Sequence, residues 1–151
     1  MSPDDITLLV SLCRARAGLR ISPEKTYLIE SRLNPVARRE NYASIPDMLA
    51  AVRARRDETL IWAIVEAMAS GESSFFGDRS TYALLQDEIL PALSRARNGR
   101  PVRVWSAACG SGQEIYSAAM IAHDLAEQGI AVELAASDLS ERMLEQAQSG
   151  L

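Results

Sequence analysis

The chain is poor in the residues most often used for metal and nucleophilic chemistry. Of its 151 residues, one is histidine and two are cysteine. A lone His123 leaves little room for a histidine-based triad or a zinc site. Cys13 and Cys109 lie far apart and fit no ligand spacing, so both read as reduced thiols of a cytosolic protein, and no metal is expected. No apolar run approaches the ~18 residues needed to span a bilayer. The N-terminus MSPDDITLLV is acidic where a secretory leader would be basic, so no membrane insertion is expected. What is present, 48% hydrophobic and 24% charged residues, is the make-up of a globular protein of about one domain's length.

Positive charge is also scarce outside one region. The net charge of −4 divides into +6 over residues 14–56 and −8 over residues 57–151, with Asp4 and Asp5 supplying the rest. Arg32, Arg38, Arg39, Arg53, Arg55 and Arg56 belong to the basic segment. They are either solvated helix faces or a docking surface for an acidic partner.

The first hundred residues read as short helices. Ser2-Pro3 is a helix start, with Ile6, Leu9, Val10 and Cys13 on one face and Gly18 as the stop. Ser22-Pro23 repeats the start signal for a helix through Tyr27, Leu28 and Leu33. Tyr27 and its Ile/Leu neighbours are expected in the core. Asn34-Pro35 either kinks that helix or caps a new segment. Ser44 to Asp47 opens another helix, and DETLIWAIVEAMA carries Leu60, Ile61, Ile64, Val65 and Met68 on one stripe. GESSFFGDRS breaks the pattern, and Asp78 or Ser80 caps TYALLQDEIL, which Pro91 and RARNGRP should close. VRVWSA then reads as a buried strand, GQEIYSAAMIAHDLAEQ as a helix, AVELAAS as a strand and LSERMLEQAQ as a helix. That β-α-β-α order is the opening of a doubly wound parallel sheet.

The loop in VWSAACGSGQEIYSAAM places backbone N–H groups at a helix N-terminus beside glycines. Gly110 and Gly112 supply the first pair of a G-x-G-x-x-G fingerprint, but the third position is Ile115. Glu114 in the first helical turn would repel a pyrophosphate and favour a cation. Asp138, ending the second strand, is placed to accept hydrogen bonds from a ribose diol. Both acids fit a nucleoside that carries a positive amino acid, such as S-adenosylmethionine; each alone is also an ordinary helix-start or turn residue.

These residues resemble the chemotaxis-receptor glutamate methyltransferases, the CheR family. SAACGSGQEIYSAAM is similar to that family's cofactor loop, ASDLSERMLEQAQSG to its second motif, and ESSFFGDRSTYALLQDEILPAL to its Asn-x-Thr-x-Phe-Phe-Arg-Asp segment and following helix. YLIESRL and the arginines after it are similar to its helical N-terminal domain. The resemblance covers essentially the whole chain. It implies that Glu114 meets the methionine part of S-adenosylmethionine, that Asp138 binds its ribose, and that Ser73 takes the Thr position over the cofactor. Gly71 and Gly77 stand at the Asn and Arg positions, so two polar contacts are missing, and Arg79 is a candidate substitute. Phe75 and Phe76 either enclose the adenosine or form a core plug.

The implied fold is a helical domain over 1–72, a connecting segment and helix over 73–100, and an incomplete Rossmann-like unit over 101–151. The implied reaction is formation of methyl esters on glutamates of a chemoreceptor's cytoplasmic helical bundle, releasing S-adenosylhomocysteine, with no part for nucleic acid. The chain looks like the N-terminal portion of a ~250-residue enzyme. Exposed sheet edges then favour self-association or marginal stability. A non-catalytic receptor- or cofactor-binding module is the alternative. A dinucleotide-binding domain is a third reading, opposed by Ile115 and Glu114.

Overall fold

The structure, a computed structural model, describes residues 1–22, 24–69, 71 and 73–150. The chain divides into two compact units, Met1–Ser70 and Gly71–Leu151.

The first unit is all helical. Helix α1 (Pro3–Ala17) begins with a capping box: the Asp5 N–H donates to Ser2 Oγ at 3.2 Å and the Ser2 N–H to Asp5 Oδ2 at 2.9 Å. It ends at Gly18, whose φ of 66° is the left-handed stop that glycine adopts freely. Helix α2 (Thr26–Arg39) runs unbroken through Pro35, which settles the choice left open at Asn34-Pro35. Pro35 is exposed while Val36 and Ala37 are buried, so the missing N–H falls on the solvent side. The start signal at Ser22-Pro23 lies partly outside the described residues; the helix begins at Thr26, after a turn in which the Lys25 N–H donates to the Ser22 carbonyl.

Helix α3 (Ile45–Arg55) is capped by Ser44, and α4 (Glu58–Ala69) by Asp57, whose Oδ1 accepts from the N–H groups of Thr59 and Leu60. The four helices enclose Leu9, Cys13, Ile29, Leu33, Met48, Leu49, Ile64 and Val65. Tyr27 departs from expectation at 69% exposed. It lies outside the Ile29–Leu33–Val36 stripe that α2 turns inward, so helical periodicity overrides its apolar ring.

Two longer contacts fasten this bundle. Arg53 Nη2 donates to the buried Asp5 carboxylate at 2.7 Å, joining α3 to the start of α1. Arg32 Nη1 donates to the Met68 carbonyl at 2.6 Å, satisfying an acceptor in the last turn of α4.

The second unit opens with α5 (Arg79–Leu84), capped by Asp78, and continues through one π turn (Leu85–Ile89) into α6 (Leu90–Ala96). Pro91 therefore does not close the helix. It sits in the first turn of α6, where the π turn has already interrupted the regular ladder that proline would break. Leu90 and Ser94 face inward, whereas Ile89 and Leu93 are exposed.

Strands β1 (Val102–Ala107) and β2 (Val132–Ser137) pair in parallel from Val102↔Val132 to Ala107↔Ser137, joined through α7 (Gln113–Ala126). Helix α8 (Glu141–Ser149) follows, capped by Ser140. Leu90, Val102, Ile121 and Leu125 form the core. Neither strand is buried along its length as a central parallel strand would be. Burial alternates, and Trp105 is 70% exposed, because among the described residues only one face of the pair is packed.

Candidate cofactor site

The loop between β1 and α7 is shaped by three left-handed residues, Ala108 (φ 61°), Gly110 (φ 55°) and Gly112 (φ 100°). Three of its amides are engaged within the protein. The Cys109 N–H donates to the Ser137 carbonyl at 3.0 Å and extends the strand ladder. The Gly112 N–H donates to the Cys109 carbonyl at 3.0 Å, and the Gly110 N–H to Asp138 Oδ2 at 2.8 Å. The other carboxylate oxygen of Asp138 accepts from the Ser140 N–H at 2.9 Å. Asp138 therefore ties the glycine loop to the start of α8. A phosphate would have to compete with these bonds for the N–H groups of residues 109, 110 and 112, which opposes the dinucleotide reading.

Gly112 is required by close approach as well as by its φ. A Cβ there would meet the Tyr116 ring at 3.0 Å and the Ala147 Cβ at 3.1 Å. The Tyr116 hydroxyl donates to the Ala147 carbonyl at 2.7 Å and so joins α7 to the far end of α8. Glu114 lies in the first turn of α7 with its side chain exposed.

Residues 73–77 lie beside this loop. The Ser73 hydroxyl is buried with no hydrogen-bond partner among the described residues, and a Cβ added to Gly110 would sit 3.5 Å from the Ser73 Cβ. A buried, unsatisfied hydroxyl is costly in a finished structure and is a natural point for a ligand. Phe75 is exposed, whereas Phe76 packs into the core with its ring edge-on to Tyr82, centroids 5.2 Å apart. The Phe76 N–H donates to Ser117 Oγ at 3.0 Å, and the Tyr82 hydroxyl to the Glu114 carbonyl at 3.4 Å.

Ser73, Gly110, Gly112 and Asp138 thus form one connected neighbourhood, with Glu114 two residues beyond Gly112. Gly71 is exposed and a Cβ there would meet no heavy atom within 4 Å. At Gly77 a Cβ would stand 2.5 Å from the exposed Ser74 Oγ, which can turn aside, and 3.8 Å or more from any other atom. Arg79 is exposed at the first position of α5, and nothing in the structure brings it to the loop. Sequence reasoning did not single out Tyr116, Ser117 or Tyr82; they work through contacts across the fold, which no local motif announces.

Electrostatics follow the same geometry. Burial, then the neighbouring Asp138 carboxylate, holds the Cys109 thiol above its ordinary pKa, and burial pushes Cys13 up to about 11. Neither is primed as a nucleophile. Asp78 is held at about 2 by the hydroxyls and amides of Ser80 and Thr81, as befits a helix cap. Among the described residues no cluster of three or more His, Cys, Asp or Glu could hold a metal ion.

In the helical unit, Arg53 and Arg32 are engaged as described, and Arg39 pairs with Glu40 at 2.8 Å. The guanidinium groups of Arg38, Arg55 and Arg56 are exposed and make no ion pair among the described residues.

Two family models match the chain. Residues 71–151 match the CheR methyltransferase SAM binding domain, and residues 4–68 the CheR methyltransferase all-alpha domain. A chemotaxis protein methyltransferase of Vibrio parahaemolyticus is 37% identical over 141 residues, covering 91% of this chain and 50% of the relative. Chemotaxis protein methyltransferase 1 of Pseudomonas aeruginosa is 31% identical over 151 residues, covering 97% of this chain and 55% of the relative. The chain spans about half the length of the curated relatives it matches.

Proposed function

The chain belongs to the CheR methyltransferase family, and on that premise we propose that its second unit binds S-adenosylmethionine on the GSGQE loop, within an enzyme that esterifies receptor glutamates. The observation that carries the reading is the buried, unpartnered Ser73 hydroxyl set against a glycine loop fastened by Asp138. The neighbourhood fits a nucleoside with a cationic amino acid. Glu114 offers a carboxylate for an ammonium. Asp138 accepts one protein hydrogen bond at each oxygen and retains lone pairs for ribose hydroxyls. Ser73 offers one further donor.

The cofactor supplies a methyl group on a sulfonium, transferred by in-line displacement to a nucleophile. A glutamate acceptor is already ionised near neutral pH, so no general base is required of this chain. The absence of an activated Cys, or of any histidine beyond His123, is consistent with that chemistry. The work of these residues is to bind, orient and exclude water.

Acidic surfaces of a chemoreceptor's helical bundle are the proposed partner, meeting the helical unit at the unpaired guanidinium groups of Arg38, Arg55 and Arg56. No helix among the described residues is long and apolar enough to cross a membrane; reaction in the cytoplasm is part of the proposal. So is self-association through the open edges and bare face of the β1–β2 pair, to be read by sedimentation.

Calorimetric titration with S-adenosylhomocysteine tests the cofactor reading. Saturable binding is expected, weakened about ten-fold or more by Glu114→Gln, which leaves the loop's internal hydrogen bonds untouched. Tighter binding of NAD would overturn it. A second reading, a binding module without catalysis, is favoured by Gly71 and Gly77, which bring no side-chain polar group to the segment over the loop. Methyl transfer by this chain to receptor glutamates would exclude it.

A further inference from the structure

Phe76 is a backbone outlier with a specific anchor. Its φ of 48° puts a bulky aromatic residue in the left-handed region, which such residues rarely adopt. A conformation of that kind persists only where the surroundings over-determine it. Two contacts do so. The Phe76 ring stands edge-on to Tyr82, and its N–H donates to the hydroxyl of Ser117 at 3.0 Å.

Ser117 is fully buried, and its hydroxyl is used in both directions. It donates to the Gln113 carbonyl at 2.7 Å, in the first turn of α7, and accepts from Phe76. Its acceptor side is therefore turned toward residues 73–77. The same short turn leaves Phe75 exposed and carries the unpartnered Ser73 hydroxyl to the flank of Gly110.

We propose that Ser117 is a positioning residue for the cofactor site: its hydroxyl locks the Phe76 turn and thereby sets the Ser73 hydroxyl against the glycine loop. The consequence for ligand affinity rests on the reading that this loop binds S-adenosylmethionine; the lock itself does not. Ser117 meets no ligand. It acts on affinity through Ser73, by fixing where residues 73–77 run over α7.

Two measurements test this. The first needs no ligand: amide hydrogen exchange followed by NMR in wild type and Ser117→Ala. The Phe76 amide is expected to exchange about ten-fold faster or more in the variant, while the Gly110 amide, held by Asp138, is unchanged. Equal protection of Phe76 in both proteins would overturn the lock. If Ser117→Ala does not fold, Ser117→Cys fills nearly the same space with a weak acceptor and is read in the same way.

The second is a double-mutant cycle on S-adenosylhomocysteine affinity. Ser73→Ala and Ser117→Ala are each expected to weaken binding about ten-fold, and the double variant no more than either alone. Multiplication of the two effects would show that Ser117 does not act through Ser73 and would overturn the proposal. Wild-type protein that binds no S-adenosylhomocysteine would strike the cofactor reading, while the exchange experiment would still decide the lock.

Discussion

Replacing Asp5 with alanine is expected to loosen the helical unit by about 2 kcal/mol. The residue does two jobs with one carboxylate: Oδ2 accepts the Ser2 N–H and completes the capping box, and Oδ1 accepts from Arg53. Loss of half a capping box costs about 0.5–1 kcal/mol. The bond to Arg53 is charge-assisted and ends on a buried oxygen, but the Arg53 side chain is 41% exposed and regains water when released. Its share is therefore nearer 1.5 kcal/mol than the larger loss of a fully buried pair. For a helical unit of about this size, 2 kcal/mol lowers Tm by on the order of 10 °C.

The assay is thermal unfolding read from Trp62, which lies in α4, with Trp105→Phe as the common background so that the second unit is silent. The pH dependence has a definite sign. The Ser2 N–H, then Arg53, holds the Asp5 carboxyl below the ordinary carboxylate range. A depressed folded-state pKa contributes stability that is present above the unfolded value near 3.9 and is lost as pH falls through the folded value. The gap between wild type and Asp5→Ala should therefore be full at pH 6–7 and shrink on acidification below about pH 4. Equal melting at neutral pH, or a gap that widens in acid, would refute the reasoning.

Other outcomes follow from the second unit and the basic surface. Gly112→Ala forces a Cβ against the Tyr116 ring and Ala147 at a φ of 100°, and should cost about 2 kcal/mol or more, seen as a lowered midpoint in urea unfolding followed by Trp105. Tyr116→Phe removes only the bond to the Ala147 carbonyl and should cost about 1 kcal/mol in the same assay, with faster amide exchange at the C-terminal end of α8. Leu33→Ala, at a fully buried position, should cost about 2–5 kcal/mol and lower the Trp62 transition specifically. Reversing Arg38, Arg55 and Arg56 to glutamate should weaken pull-down by receptor fragments, with the difference largest at low salt.

Much of the architecture was legible because its signals are local. Ser2-Pro3, Gly18, Ser44 and Asp78 each act on the few residues beside them, and each delimits a helix as read. The parallel β-α-β unit was visible in the change of period and in the glycine loop between strand and helix. What escaped depends on partners distant in the chain. Arg32 and Arg53 looked like free cations because the Met68 carbonyl and the Asp5 carboxylate that engage them lie 36 and 48 residues away. Asp138 was read as a ligand acid or a turn residue; its bond to the Ser140 N–H is the local turn, but the bond to the Gly110 N–H spans 28 residues and left no local sign. Phe76 gave no sign of a left-handed backbone, since aromatic residues rarely adopt one and its anchor is 41 residues on.

The π turn between α5 and α6 has a bearing on descent. From Tyr82 and Leu85, a regular helix would next bury residues 89 and 93; the protein instead buries Leu90 and Ser94 and leaves Ile89 and Leu93 in solvent. Past Leu85 the helix is out of phase by one residue, as a single inserted codon would leave it. A related chain one residue shorter within 85–89 could present the same core through an uninterrupted α-helix. Against such a chain, an ungapped match of this helix would pair solvent residues with core residues past Leu85.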